Sequence, residues 1–160
     1  MAGVKRDRFV LQAVILFLVV LAGYVLAFKL FQNRRTAKGP WVVTFSSSNG
    51  PPSLTINQKT LNVQDVKIIF TNAPAISNTA ETIEFAVPRG VPFSVPFGEC
   101  VFFDARFLPG TVVLNVLGHE VQLLPRVLTI DDVERPWKPG EIIFLKAGPP
   151  LTNALPRGSY

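Results

Sequence analysis

"KGPWVVTF", Lys38 to Phe45, is where the chain changes its period. Before Pro40 the apolar residues run on without alternation. From Trp41 onward short stretches rich in aromatic and β-branched residues repeat with a period of two. Reading outward in both directions from this boundary decides the fold.

On the N-terminal side stands "FVLQAVILFLVVLAGYVLAFKLF", Phe9 to Phe31, whose strongly polar members are Gln12 and Lys29. As a helix it spans about 34 Å, enough to cross a hydrocarbon layer of about 30 Å with some tilt. Lys29 lies near one end, where its stem reaches the headgroups. Val25-Leu26-Ala27 has the small-x-small form of a cleavage site. The apolar run nevertheless exceeds the roughly 7–15 residues of a secretory signal, so an uncleaved anchor is expected. The resulting organisation is a basic leader (1–8), a transmembrane helix (9–31), a basic juxtamembrane linker (32–40), a β-sandwich domain (41–146) and a Pro-rich tail (147–160).

The net charge of +5 is concentrated around that helix. Lys5, Arg6, Arg8, Lys29, Arg34, Arg35 and Lys38 flank it, with Asp7 the only acid among them. From Trp41 onward nine Lys and Arg face ten Asp and Glu. The globular part therefore lacks the basic surplus that phosphate backbones require, and no nucleic-acid partner is expected. The flanking cations suit anionic lipid headgroups. Because both flanks are basic, they do not set the orientation. The eight-residue leader reads as a signal-anchor, which puts the N-terminus in the cytoplasm. The β-domain is then extracytoplasmic, in the periplasm of a bacterial inner membrane.

On the C-terminal side, Gly- and Pro-punctuated segments predict eight or nine short strands and an all-β body, a sandwich of the immunoglobulin-like or jelly-roll-like kind. In "ETIEFAV", Ile83, Phe85 and Val87 share a face. "AVPRGVPFSVPFGE" carries three Val-Pro pairs in step. Across residues 91–97 an extended chain turns Val91, Phe93, Val95 and Phe97 inward. Pro92 and Pro96 then remove donors from one and the same edge, as an edge strand protected from further pairing requires.

Catalytic inventory is sparse. With one Cys, one His and one Met, few soft or nitrogen ligands are available, and no disulfide within the chain is possible. Cys100 reads as a buried apolar residue. His119 reads as a turn residue, because zinc sites draw on several His or Cys. Asp131-Asp132 is the densest acidic spot, at a strand end where Asp serves turns. No haem, iron–sulfur, phosphate-loop or dinucleotide motif is present. No catalytic residue, metal or cofactor is assigned, and no small-molecule substrate is evident.

Contacts are the remaining route to function. Gln12 is an amide within an apolar helix, and Gly23 and Ala27 form a small-x-x-x-small pair, so these three are the helix–helix candidates. Trp41, Phe93, Phe97, Phe107 and Trp137 are the interface candidates of the body. The expected function is a non-catalytic, single-pass accessory or structural subunit of a larger membrane complex, a class that includes subunits of electron-transfer and photosynthetic assemblies. Its partners are the lipid bilayer and the other subunits. The alternative is a tethered binding module for a glycan, peptide or lipoprotein, which requires exposed aromatics at Trp41, Phe107, Trp137 and Tyr160. A membrane-tethered enzyme with an acidic site is the third reading.

Overall fold

The computed structural model describes residues 4–47, 50–73 and 80–149. The tail from 150 to Tyr160 lies outside the described residues, as do leader positions 1–3 and parts of two expected loops (48–49 and 74–79). The chain divides into two compact units, Met1–Arg35 and Thr36–Tyr160.

Helix α1 covers Val4–Thr36, five residues further at each end than the apolar run. The expected linker is thus helical through Thr36. Gln and Arg favour helix, and Arg34 and Arg35 complement the negative C-terminal dipole of the last turn. Gly39, at φ +72, ends it and donates its N–H to the Thr36 carbonyl at 3.0 Å. The stretch Arg8–Thr36 is long and apolar enough to cross a membrane, its most apolar 18 residues having a mean hydropathy of 2.7. Its large apolar side chains are exposed all round, from Phe9 to Phe31.

Among its described residues the body from Trp41 onward is all β apart from one short 3₁₀ turn, Lys59–Leu61. Its first strands are β1 (Trp41–Ser46), β2 (Ser53–Gln58), β3 (Val63–Thr71) and β4 (Ala80–Phe85). Then come β5 (Phe93–Val95), β6 (Gly98–Asp104), β7 (Thr111–Val116) and β8 (His119–Leu123). The last are β9 (Val127–Ile130), β10 (Val133–Pro136) and β11 (Ile142–Lys146). One sheet has the order β11-β3-β2-β1-β4 and the other β10-β9-β8-β7-β6-β5. In the first, three consecutive strands and a fourth returning beside β1 form a Greek key, to which β11 adds in parallel. The second is a plain meander, where a jelly roll would carry another Greek key.

Alternation explains the layering. In β1, Trp41, Val43 and Phe45 are fully buried while the residues between them are half-exposed. Inward residues of both sheets, among them Leu54, Ile68 and Phe70 on one side and Leu114, Val121 and Leu128 on the other, form a single core. The two sheets sharing that core are compatible with a sandwich. Gln58, 1 % exposed, is the most buried of the polar residues, which include Ser47, Ser53, Asn115 and Thr129, and it is fully used. Its amide donates to the Lys38 and Gly39 carbonyls, and its oxygen accepts from Leu61 N at 2.8 Å. It thereby ties the incoming chain to the end of β2.

Two expectations about strand extent are corrected. β4 ends at Phe85, opposite Trp41, because β1 offers no partner beyond its first residue. Val87 is accordingly 67 % exposed rather than on the inner face. The Val-Pro segment does supply the edge of the second sheet, bonded to β6 alone, but only Phe93–Val95 is strand. Pro96 and Phe97 form a two-residue turn, with Phe97 at φ +70, and Val91 is exposed. A proline preset near φ −65° followed by a positive φ reverses the chain there instead of extending it. Gly98, just past the turn, is obligatory, since a Cβ would lie 1.9 Å from the Asn115 carbonyl oxygen of β7.

Candidate functional site

A polar constellation that joins the two sheets sits where β8 meets the ends of β9 and β11. Two tight turns build it. Leu117 and Gly118 join β7 to β8 with φ of +47 and +84, and Asp131 and Asp132 join β9 to β10 with φ of +49 and +65. Paired positive φ angles suit the two-residue hairpin, and Asp tolerates them. The second turn folds the Asp131 carboxylate back onto β8. One oxygen accepts from Glu120 N at 3.0 Å and the other lies 2.6 Å from His119 Nδ1. His119 Nε2 lies 2.8 Å from the Lys146 carbonyl, at the end of β11 in the opposite sheet. The ring also packs against Phe70, with centroids 6.0 Å apart.

Both neighbours of this imidazole are acceptors. Neither a carboxylate nor a carbonyl can donate, so both contacts are hydrogen bonds only when both ring nitrogens carry protons. The imidazolium is the form that fits. Burial opposes that charge. The hydrogen bonds to Asp131 and to the Lys146 carbonyl, with the charge of Asp131, outweigh burial and hold the pKa above the ordinary 6.5. With both nitrogens engaged, neither lone pair is available to ligate a metal or to act as a base. Among the described residues no group of three or more His, Cys, Asp and Glu is placed to hold a metal ion. What the arrangement does is clamp one sheet to the other. Sequence reasoning missed the clamp, although the Asp-Asp turn signal that builds it was legible.

Cys100 is buried, and its Sγ–H donates to the Phe102 carbonyl at 3.4 Å. Burial pushes its pKa up to about 11, against the opposing pull of that bond, so the nucleophilic thiolate is disfavoured. One buried polar atom is left without a partner among the described residues, Asn115 Oδ1 on β7.

The interface candidates separate by burial. Trp41 is 0 % exposed and therefore belongs to the core, not to the surface. Trp137 is half-buried against it, with ring centroids 5.2 Å apart. The indoles donate to the Gly110 and Leu124 carbonyls at 3.1 and 2.9 Å. Phe93 and Phe97 are half-buried and pack on Phe85 and Phe45. Phe107, 56 % exposed, stays on the surface. Ile142 and Phe144 of β11, 54 and 65 % exposed, are surface apolar residues that the sequence reading did not single out. On α1, Gln12, Gly23 and Ala27 fall within about 60° of one another at 100° per residue. Apart from the adjoining residues and the helix's own backbone, no atom lies within 4 Å of where a Gly23 Cβ would be.

No protein-family model matches this chain, and neither a curated protein nor a solved structure is significantly similar to it.

Proposed function

We propose that the protein is a non-catalytic subunit of a larger membrane complex, anchored by α1 and using its β-body for protein–protein contact on the extracytoplasmic side. The observation that carries this reading is the exposure of α1. An apolar helix exposed on every face cannot be stable in water, and lipid or a neighbouring helix is what would cover it. The shared face of Gln12, Gly23 and Ala27 supports lateral association, since small residues let helices approach closely and an amide in hydrocarbon seeks a partner.

The body supports the same reading. β11 is an outer strand, and its exposed Ile142 and Phe144 stand opposite Lys67 and Ile69 of β3 on one sheet face. An open strand edge with apolar side chains is a place where another chain can add. A binding module for glycans or peptides would need exposed aromatics; Phe107 is exposed, but Trp41 is buried and Trp137 stacks on it, so neither indole offers a platform. The doubly occupied His119 favours a structural role over a catalytic one. The bacterial inner membrane and the periplasmic side belong to this proposal through the signal-anchor character of the leader.

Purification in a mild detergent, with identification of the co-migrating chains, tests the reading. A stoichiometric complex that loosens on Gln12→Leu or Gly23→Leu is the expected result. A chain that washes off membranes in alkaline carbonate, or one that purifies alone from every mild detergent, would refute it.

A further inference from the structure

The β-body has two ends of opposite electrical character. The chain enters at one of them, since Thr36 closes α1 and Trp41 opens β1. The pairing registers bring the end of β2, the start of β3, the end of β4 and the start of β11 to that entry end. The Trp41 bond to Gly110 and the Trp137 bond to Leu124 bring the loops 105–110 and 124–126 there as well. Arg89 follows the Phe85 end of β4 by four residues, and its guanidinium lies over the Phe93 ring, which packs on Phe85.

Six exposed cations sit on these segments: Lys38, Lys59, Arg89, Arg106, Arg126 and Lys138. The exposed acids there are Asp65 and Glu84, while Asp104 and Glu141 are half-buried. Among the described residues the opposite end reverses the balance, with exposed Glu81, Asp131 and Asp132 and half-buried Glu99 and Glu120 against exposed Lys146 and half-buried His119. The entry end also carries two exposed apolar side chains on loops, Phe107 at 56 % and Val87 at 67 %. Exposed apolar side chains on the same end as a surplus of cations are what an anionic bilayer surface recognises. The former enter the headgroup boundary, and the latter meet the lipid phosphates.

We infer that the entry end of the β-body is a lipid-docking surface, with Phe107 and Val87 in the headgroup layer and the cations over anionic lipid. The inference rests on reading α1 as a membrane crossing, because the crossing supplies the surface. Sign decides the partner chemistry, since a positively charged face with apolar tips suits an anionic lipid layer better than a basic or neutral protein surface.

The test uses the full chain in vesicles with brominated acyl chains. Phe107→Trp places a reporter at the entry end, and Asp132→Trp places one at the far end, each read as the difference from the parent chain, whose Trp41 and Trp137 also fluoresce. In vesicles containing about 30 % phosphatidylglycerol, the first reporter should be quenched roughly twofold more than in neutral vesicles, and the second not at all. Salt at about 1 M, where screening acts over about 3 Å, should remove the difference, as should Arg126→Glu with Lys138→Glu. Hydrogen exchange at 105–110 in the unsubstituted chain should slow in anionic vesicles only. Equal quenching of the two reporters in a chain that resists carbonate extraction overturns the docking surface and leaves the anchor intact. Release of the chain by carbonate overturns both.

Discussion

Helix α1 and strand β1 are separated by four residues and are comparably apolar, yet they treat their side chains in opposite ways. Along α1, Leu16, Phe17, Leu18 and Val19 are all more than half exposed. Along β1, Trp41, Val43 and Phe45 are wholly buried. The body is stabilised by its own core, whereas the helix has no core of its own. Apolar content therefore does not predict stabilisation by itself. What matters is whether the fold supplies the covering surface or leaves that to the surroundings.

Substitutions at matched apolar positions can break this contrast. The largest effect is expected at Phe45→Ala, which opens a cavity against Phe97 and should lower the unfolding free energy of the body by about 3–5 kcal/mol in a denaturant titration. Leu18→Ala should leave that titration where it is, and a comparable shift would mean that the helix belongs to the cooperative core. Next comes Leu18→Arg, which should make membrane insertion about 3–4 kcal/mol less favourable, read as the fraction retained after carbonate washing. The circular dichroism of the strands should not change.

A third position probes a polar contact in the body. His119→Gln removes the charged clamp between the sheets and should cost about 1–3 kcal/mol at mildly acidic pH. The folded pKa lies above the unfolded 6.5, so the clamp's contribution is full below about pH 6.5 and fades as pH rises through the folded value. Urea midpoints of the parent and the variant should therefore converge toward alkaline pH, and a constant gap would mean that the ring acts by packing alone. The smallest effect is expected at Phe144→Ser, within about 0.5 kcal/mol for the chain by itself. The same substitution should weaken recovery of co-purifying chains, which separates an exposed contact residue from a core one.

Much of the architecture was legible because it is written in local periodicity. The apolar run of α1, the alternation in "WVVTF", the turn at Asp131-Asp132 and the edge character around Ser94 are each readable within a dozen residues. The misreadings arose where a neighbour elsewhere in the chain decides the outcome. β4 stops at Phe85 because β1 starts opposite it, and Phe97 turns because Gly98 must fit against β7. Trp41 looked like a surface aromatic until the second sheet covered it.

The amino-acid sequence by itself determined that this protein has an apolar helix and an all-strand body, because helical and extended periods are properties of neighbouring residues. Only the tertiary structure decided which distant groups meet. It set His119 between Asp131 and the Lys146 carbonyl, and it sorted a body with nearly balanced charges into a basic end and an acidic one. The physical reason is that electrostatic and hydrogen-bonding partners act through space. Strand order, not chain order, fixes the distances between them.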